Sequence, residues 1–502
     1  MFDSFIQGFT AFDSWLNGVV WGWPMIILIL GTGILLTIRT RAVQIRKFGE
    51  SIRSTIVPTV RSIGKKNDQK KDKNEKSVSQ FEAFSAAISG TVGTGNIIGV
   101  TSAILTGGPG AVFWMWISAF FGMCTNYAEN VLGLFYRQKN KNGDFSGGSF
   151  YYIKNGLHWT WLGYIASIVC LFAALGMSGV QTNKISGTMI ACFNIDTTLF
   201  KIIIGVVVAF FTALIIIGGI KRIGKVASML VPFMSLIFII MALIAIILNI
   251  TAIPAAFKLI FANIFGFKAM AGGFGGYVFS QVIKKGMARG VFSNEAGLGS
   301  SVIAHSASET KEPVIQGLWG IFEVFFDTFV ICTLTALLLI TTFVGKGSFD
   351  SLFSSSLSDS GTALAAFNTN FGMFGTIIFA VIIPLFAFTT ILAWSYYGEK
   401  AAEFCFQWCG EKGQKIAVLV FKIAYLVMIV AAAVIESDLI WSIDDTCNGL
   451  MALPNLVALI LLSGTVLKIT KNYFDRKKGL VIEPMLNADP KLNEEFKEEI
   501  TK

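Results

Sequence analysis

The stretch S-G-T-V-G-T-G-N-I-I-G, residues 89–99, interrupts an apolar segment that runs from residue 81 to residue 105. This segment is long enough to cross a bilayer, because a helix needs about 20 residues to do so. Its four glycines make its centre a poor helix, since each costs about 1 kcal/mol relative to alanine. A break within a membrane is tolerated only where protein or a water-filled cavity pairs the freed backbone groups. The stretch therefore predicts a discontinuous helix at a ligand site, with close packing through small residues as the alternative.

The composition is that of a protein embedded in a membrane. Of 502 residues, 54% are hydrophobic and only 14% are charged, whereas soluble proteins carry about 25% charged residues. The net charge of +9 does not indicate nucleic-acid binding, because the basic residues cluster in loops, as the positive-inside rule expects. The seven cysteines are scattered without a CxxC pair, which argues against a disulfide framework or a structural metal. The lipid bilayer is therefore a predicted partner of this protein, and nucleic acid is not.

Apolar length predicts about eleven membrane-spanning helices and hence an all-α polytopic fold. The predicted segments are residues 21–38, 81–105, 111–136, 161–181, 202–220, 226–250, 277–305, 315–343, 374–397, 416–435 and 447–467. The seventh carries Lys284, Lys285, Arg289 and Glu295. These are too many charges for a helix that faces lipid, so this segment is predicted to lie inside the bundle.

The distribution of basic residues predicts the orientation of the chain. The loop at residues 39–80 is basic and the tail at residues 468–502 is charged, and both are predicted to be cytoplasmic, the tail with a mobile end. The N-terminus is then outside and the C-terminus inside a multi-pass protein of the plasma membrane. Besides this loop and this tail, the predicted organisation has three parts. They are an N-terminal amphipathic segment with one helix (1–38) and two sets of five helices (81–250 and 271–467).

Each set of five predicted helices begins with an interrupted helix. The first contains G-T-G-N-I-I-G-V-T-S-A at residues 93–103, and the second contains E-A-G-L-G-S-S-V-I-A-H-S-A at residues 295–307. Because five is an odd number, the two sets have opposite topology. Interrupted helices at corresponding positions of inverted halves indicate a transporter site near the middle of the membrane. Chance recurrence of glycines is the alternative.

Four motifs resemble those of one family of transporters. They are G-G-P-G-A-V-F-W-M-W-I-S-A-F-F-G (107–122), S-G-T-V-G-T-G-N-I-I-G-V (89–100), F-S-G-G-S-F-Y-Y-I (145–153) and R-G-V-F-S-N-E-A-G-L-G-S-S (289–301). Together they resemble the alanine or glycine:cation symporters, also called sodium:alanine symporters, over nearly the whole chain. The resemblance implies a LeuT-type fold of the amino acid–polyamine–organocation superfamily. That fold has a 5+5 inverted repeat, here with one extra N-terminal helix and two discontinuous helices.

The resemblance also implies sodium-driven symport of alanine or glycine by alternating access, with Na+ as the coupling ion and no cofactor. A proton-coupled or sodium-independent amino acid carrier of the same fold is the alternative. A channel is less favoured, because the polar residues surround a compact break and do not line a continuous stripe. The glycines lack the spacing of a nucleotide-binding loop and no Walker lysine pattern accompanies them, which disfavours an ATP-driven pump. No nucleophile–base pair in the sequence points to an enzyme.

By this resemblance the two breaks form the substrate site. A zwitterionic amino acid needs donors for its carboxylate and acceptors for its ammonium group, and an unwound helix supplies both. The candidate residues are Thr91, Gly93, Thr94, Gly95 and Asn96 in the first break, Gln181 at the outer end of the fourth segment, Phe292, Ser293 and Asn294 in the seventh, and Trp394 in the ninth. Helix capping, interhelical hydrogen bonding and ordinary packing are the alternative roles for these residues.

A sodium site is implied by the same resemblance. In the LeuT-type fold, adjacent hydroxyls on the ninth predicted segment and carbonyls of the first broken helix hold a sodium ion. The matching residues are Thr389 and Thr390, with carbonyls near Thr91 and Thr94. The alternative is that each threonine hydroxyl bonds a carbonyl of its own helix.

Ionisable residues within apolar segments mark functional sites by default. Glu295 is expected to accept from free amides of the break or to pair with Arg289, and binding of the substrate ammonium group is the alternative. Glu129 is expected to have a structural or gating role.

Two further acids, Glu323 and Asp327, are spaced i, i+4 in the eighth segment. They are expected to pair with basic groups inside the bundle, and proton relay or binding of a second cation is the alternative. The two histidines, His158 and His305, receive no predicted role.

Overall fold

The computed structural model of the protein describes residues 2–62, 78–140, 143–265, 275–354, 357–435 and 437–501. Within these ranges the chain is mostly helical, with one short antiparallel hairpin, in which Gln138–Lys139 (β1) pairs with Phe145–Ser146 (β2), and one isolated bridge between Val78 and Ser308. The predicted all-α class is therefore confirmed. The centre of the predicted basic loop (63–77) and the predicted start of the second five-helix set (271–274) lie outside the described residues.

The helices are numbered in chain order. In the first half they are α1 (Phe2–Val20), α2 (Trp23–Arg39), α3 (Val43–Arg46), α4 (Phe48–Ser54), α5 (Ile56–Ser62), α6 (Gln80–Thr91), α7 (Ile98–Gly107), α8 (Ala111–Phe135), α9 (Ser149–Gly156), α10 (Thr160–Phe193), α11 (Thr198–Ile216), α12 (Gly219–Leu248) and α13 (Ile253–Ala262). In the second half they are α14 (Gly275–Asn294), α15 (Ser301–His305), α16 (Pro313–Val324), α17 (Thr333–Gly345), α18 (Asp359–Phe371), α19 (Met373–Cys405), α20 (Gly410–Ala432), α21 (Ser437–Lys477) and α22 (Pro490–Thr501). Short 3-10 turns occur at Thr94–Asn96, Ile250–Ala252, Asp350–Ser354 and Gln407–Cys409, and a π-helical stretch, Phe325–Cys332, joins α16 to α17.

Helix length and composition mark out the membrane-spanning part. Within the described ranges, eight helical stretches are long and apolar enough to cross a bilayer, and the bent pair α6–α7 makes a ninth. Helices α8 and α14 occupy two further predicted positions and have 25 and 20 residues, but they are more polar. The predicted count of eleven therefore stays a prediction, as does the inverted relation between the two sets of five helices.

Hydrogen bonds at helix ends define two faces of the molecule. At the N-terminal face, Trp21 Nε1 donates to Asp445 O at 2.9 Å, which joins the end of α1 to α21. At the C-terminal face, Ala488 N donates to Phe135 O at 2.8 Å, which joins the segment before α22 to the end of α8. Between these faces, the outer surfaces of α11, α12 and α20 expose many large apolar side chains, as a surface in contact with lipid does.

Both predicted breaks are present at the centre of the bundle. Helices α6 and α7 meet at an angle of 53°. The second break separates α14 from α15, and in it Gly297 and Gly299 have φ of +94° and +73°, a region in which glycine is favoured because other side chains clash. Residues 91–96 and 293–300 are all buried. The freed backbone groups thus lie inside protein, as the sequence requires.

Helix α10 is longer than the fourth predicted segment. The sequence places Gln181 at the end of that segment, but α10 continues to Phe193, so Gln181 lies well within the helix. The polar residues that follow it are covered by neighbouring helices. Thr182 is fully buried, and Asn183 Nδ2 donates to Ile435 O at 2.8 Å. The helix extends because these protein contacts replace water around its polar side chains.

The C-terminal tail, expected to have a mobile end, is helical and docked. Helix α21 continues past the predicted boundary at residue 467, and α22 follows it. Leu486, Leu492 and Phe496 form a buried cluster with Phe145. The tail therefore folds back because it carries a few apolar side chains among its charges, and these find an apolar partner beside β2.

Candidate substrate and ion site

The first break exposes backbone groups that are paired by its own side chains and by α10. Gly93 N donates to Asn96 Oδ1 at 2.8 Å. Thr94 Oγ1 donates to Gln181 Oε1 at 2.8 Å, so Gln181 faces the break. Gly93 lies so close to α19 that a Cβ atom there would clash with Thr390 Oγ1. The structure thus brings these five predicted residues together.

A buried carboxylate joins the first break to the second. Asn96 Nδ2 donates to Asp327 Oδ1 at 2.5 Å, and Ser293 Oγ lies 3.1 and 3.0 Å from the two carboxylate oxygens. Thr328 Oγ1 donates to Oδ2 at 2.8 Å. Asp327 is 0% exposed, and it lies in the π-helical stretch, a feature frequent at functional sites. These hydrogen-bond partners are all uncharged, so they do not neutralise its charge.

The remaining predicted residues of the two breaks surround this cluster. The ring of Phe292 stacks on Trp441 with 5.3 Å between centroids, and a Cβ atom on Gly95 would lie 3.2 Å from the Phe292 ring. Asn294 Nδ2 donates at 3.1 Å to Thr328 Oγ1, the hydroxyl that also bonds the buried carboxylate. Gly95, Phe292 and Asn294 therefore belong to the same assembly.

The predicted sodium ligands are only partly assembled. Thr390 Oγ1 lies 3.0 Å from Ser89 O, a carbonyl of the first broken helix, and 3.2 Å from Phe386 O of its own helix. Thr389 Oγ1 instead donates to a carbonyl of its own helix at 3.0 Å and faces α12. Adjacent residues of a helix point about 100° apart, and in this structure only the Thr390 hydroxyl contacts the first broken helix. Thr91 Oγ1 also bonds its own helix, at 3.2 Å, and the Thr91 carbonyl accepts from Gly93 N at 3.0 Å, so that an ion could use only the second lone pair of this carbonyl.

Trp394 lies at the second break, where it bonds protein. Its Nε1 donates to Glu295 Oε1 at 2.8 Å, and Ser300 Oγ donates to Glu295 Oε2 at 2.5 Å. Glu295 has φ of +54°, a strained conformation for a residue other than glycine, which such contacts hold in place. In this structure Trp394 positions the second break, and its contact with a substrate stays a prediction.

Glu129, on α8, accepts the hydrogen bonds from the break's amides that the sequence predicts for Glu295. Its Oε1 accepts from Gly297 N at 3.1 Å and Gly299 N at 3.0 Å, and from Asn455 Nδ2 at 2.5 Å. The expectation that Glu295 binds the free amides of the break is therefore wrong. Glu129 comes from a helix far away in sequence, and only the packing of α8 against the break brings its carboxylate to these amides.

A layer of side chains closes the site toward the N-terminal face. Arg289 Nη1 lies 2.9 Å from Asp445 Oδ1, so the predicted pairing of Arg289 with Glu295 is also wrong. The guanidinium group lies 4.4 Å from the ring centroid of Trp441, which itself covers Phe292. Arg289, Trp441 and Asp445 line a cavity of about 220 Å³ on this face. These side chains thus separate that cavity from the two breaks.

Sequence reasoning did not assign Asp327 to the substrate site, although an acid in an apolar helix was the signal that could have found it. Glu323 and Asp327 were both expected to pair with basic groups. This holds for Glu323, whose Oε2 lies 2.7 Å from His305 Nε2. It is wrong for Asp327, because the π-helical stretch turns its carboxylate toward the uncharged donors of the breaks.

The chain is similar to known membrane transporters. Residues 6–486 match the family described as the sodium:alanine symporter family. A protein of Methanococcus maripaludis named sodium/alanine symporter AgcS is 40% identical over 476 residues, which cover 94% of this chain and 98% of that protein. A Bacillus subtilis protein named probable sodium/glutamine symporter GlnT is 35% identical over 464 residues, which cover 92% of this chain and 90% of that protein. The crystal structure of MhsT in complex with L-phenylalanine matches with a TM-score of 0.56 at 12% identity, over 79% of this chain and 98% of that chain, and it shares the LeuT-type fold.

Proposed function

Because this chain belongs to the sodium:alanine symporter family, we propose that it carries a small neutral amino acid, alanine or glycine, across the membrane together with sodium. Like the other members of its family, it is a membrane transporter and not an enzyme. The observation that carries the proposal is the Asp327 carboxylate, which joins both helix breaks and has only uncharged partners. A buried charge without a counter-charge is costly, so this position favours a cationic group of the cargo.

The ammonium group of an amino acid fits the Asp327 carboxylate. Three donors already bond it, from Asn96, Ser293 and Thr328, and a carboxylate accepts about four hydrogen bonds. The free position would take an ammonium hydrogen. The carboxylate of the substrate would then point toward the start of α7, where backbone amides and the helix dipole favour an anion.

Phe292 limits the room for the substrate side chain. Its ring lies against Gly95, where a Cβ atom would be 3.2 Å away, and it is held on its other side by Trp441. A hydrogen or a methyl group therefore fits beside the ring more readily than a long side chain does. This size limit supports alanine or glycine as the substrate.

Uncharged oxygens at the first break support a sodium site. Hard cations of this kind prefer oxygen ligands, and Thr390 Oγ1 and Ser89 O lie 3.0 Å apart. We include the carbonyls of Thr91 and Thr94 as further ligands. Thr389 is left out, because its hydroxyl faces α12. Sodium is the coupling ion, and the proposal includes no cofactor.

The proposal places the protein in the plasma membrane with its N-terminal face outside and its C-terminus inside. Basic residues support this orientation, because they are enriched in cytoplasmic loops. Arg39, Arg41, Arg46 and Lys47 cluster at the end of α2 and just after it.

The direct test is uptake of labelled alanine into proteoliposomes with an inward sodium gradient. We expect uptake to saturate, to fall to background when choline replaces sodium at fixed pH, and to be blocked by excess glycine but not by excess glutamine. Undiminished uptake in choline would contradict sodium coupling. Uptake that does not saturate would contradict a carrier, and strong inhibition by glutamine would contradict the size limit.

A further inference from the structure

A second buried acid–base group lies beside the proposed substrate site and has no part in it. His305 Nε2 lies 2.7 Å from Glu323 Oε2, and Gln316 Nε2 lies 2.6 Å from His305 Nδ1. All three side chains are 0% exposed. They belong to α15 and α16, which follow the second break. We call them the His–Glu–Gln group.

The hydrogen bonds of the His–Glu–Gln group leave room for one more proton. With Gln316 Nε2 facing the ring, Nδ1 of His305 accepts, and the neutral imidazole donates its Nε2 hydrogen to Glu323. Glu323 Oε1 and Gln316 Oε1 make no hydrogen bond of normal geometry, and the Asn126 side chain lies near the Glu323 carboxyl. An added proton can bond to Glu323 Oε1. The added proton can also bind to His305 Nδ1 if the Gln316 amide flips, so that Gln316 Oε1 accepts a hydrogen bond from it. The flip changes the shape of the side chain very little, because the amide oxygen and nitrogen are nearly identical in size.

The charges around Glu323 also favour an added proton. Three other buried carboxyls interact with it electrostatically: Glu129 on α8, Glu295 in the second break and Asp327. In the part of the chain that the structure describes, no lysine or arginine hydrogen-bonds to any of these four carboxyls. Neighbouring carboxylates disfavour each other's ionisation, and one imidazole cannot neutralise four of them.

The other ionisable groups on the elements packed around the His–Glu–Gln group are neutral or bonded elsewhere. They include the buried phenols of Tyr127, Tyr396 and Tyr397, Glu82 at the capped start of α6, Glu50 paired with Lys477, Arg476 paired with Glu312, Lys400 paired with Glu403, Glu399 paired with Lys422, and Arg137, which donates to the carbonyls of residues 306, 308 and 310. Positive charge for the four carboxyls must therefore come from bound ligands or from protons.

We propose that the His–Glu–Gln group is a proton-binding site, which holds one proton in the ligand-free carrier and releases it when sodium and the amino acid bind. The inference rests on the proposed function, because the cationic groups of the cargo supply the charge that displaces the proton. Glu323 lies four residues before Asp327. The positive charge of an ammonium group at Asp327 therefore repels a proton at Glu323 across a short, low-dielectric part of the protein interior. The step moves a single proton between Glu323 or His305 and water.

Sodium is a poorer ligand for this group than a proton. Hard cations bind several oxygens at once, but the imidazole of His305 already occupies one oxygen of Glu323. The Gln316 amide presents its nitrogen to the ring. Too few oxygens converge here to surround an ion, whereas a proton needs one acceptor atom.

The test uses the purified full-length protein in detergent, in a weakly buffered sodium solution with a pH indicator. Alanine is added, and alanine binding and proton release are measured on the same sample. The wild type should release up to about one proton per bound alanine, because binding at electrostatically coupled sites is reciprocally linked. Alanine binding without proton release would overturn the inference and leave the proposed function intact, whereas absence of sodium-dependent alanine binding would contradict the proposed function itself.

Two substitutions locate the proton. Glu323→Gln should bind alanine and release no proton, while His158→Gln, which changes the other histidine on an exposed turn, should behave as the wild type. If Glu323→Gln does not fold, Glu323→Met serves in its place, since methionine has a similar volume and also removes the carboxylate, and it too should release no proton. Release equal to that of the wild type from the substituted protein would overturn the assignment. So would binding of an extra sodium ion in place of proton release.

Discussion

At the scale of single residues, the site is defined by a charge that its hydrogen-bond partners do not neutralise. Asp327 accepts from an amide and two hydroxyls, so its own neighbours fix its position without cancelling its charge. Glu129 and Glu295 also have uncharged donors, but these donors serve the second break: Glu129 accepts from its backbone amides, and Glu295 accepts from Ser300 and from Trp394 of α19. The three acids lie close together and have different roles because their donors differ.

Asp327→Asn should weaken alanine binding. The amide has nearly the shape of the carboxylate but lacks its charge, and loss of a charge-assisted hydrogen bond corresponds to about a 10- to 100-fold weaker affinity. The measurement is the dissociation constant for alanine in sodium-containing buffer. Asp196→Asn, at an acid that is 66% exposed, is the matched control and should leave the affinity unchanged. An unaltered affinity in Asp327→Asn would rule out this carboxylate as the ammonium partner.

Thr390→Val and Thr389→Val should differ in their sodium requirement. Valine removes the hydroxyl while it keeps the branched shape, and only the Thr390 hydroxyl faces the carbonyl of Ser89. We expect Thr390→Val to raise the sodium concentration for half-maximal uptake by about 10-fold and Thr389→Val to change it little. The pair has a built-in control, since the residues are adjacent. Equal shifts in both variants would contradict the assignment.

At the scale of elements, the two breaks form for local reasons but are kept open by distant ones. Glycine content ends α6 and α14 where the sequence predicts. The freed groups are then paired by α10 through Gln181 and by α8 through Glu129. The π-helical stretch between α16 and α17 supplies Asp327 to both breaks. Each break is thus completed by a helix that is remote in sequence.

Gly297→Ala should destabilise the second break. Gly297 has φ of +94°, and a left-handed conformation costs an alanine about 1–2 kcal/mol. The new methyl group would also lie 3.1 Å from a carbon of Leu456. We expect a lower thermal unfolding midpoint together with reduced uptake. The control is Gly31→Ala, in α2 with nothing within 4 Å of the added carbon, which should keep the unfolding midpoint and the uptake of the wild type. Equal losses in both variants would contradict the role of the backbone conformation.

At the scale of the whole molecule, separate structures close the two faces. Arg289, Asp445 and Trp441 cover the breaks on the N-terminal side. On the C-terminal side, the segment after α21 folds back to the end of α8 and to β2, with Phe496 packed edge-to-face against Phe145 at 5.8 Å between centroids. A carrier that works by alternating access must break the contacts on one face while it keeps those on the other. On the N-terminal side these contacts involve α14, and on the C-terminal side they involve the end of α8.

Phe496→Ala should release α22 from the bundle. Phe496 is 0% exposed, and truncation of a buried phenylalanine costs about 3 kcal/mol or more. The undocked helix should be cut at Lys491 by trypsin about 10-fold faster or more, because proteolysis follows local opening. Val481→Ala, at a fully exposed position, is the control and should be cut at the wild-type rate. Resistance of Phe496→Ala to trypsin would show that its ring does not hold the segment.

Apolar length, glycine content and motifs are local properties of the chain, so the membrane class, the positions of both broken helices and the family could be predicted from the sequence. Which atoms come into contact depends on the tertiary structure. It turned Thr390 and not Thr389 toward the first break, gave the amides of the second break to Glu129, and brought Asp327 to both breaks. The physical reason is that each of these contacts joins helices separated by many residues, so their partners are set by helix packing and by the rotation of each helix about its axis.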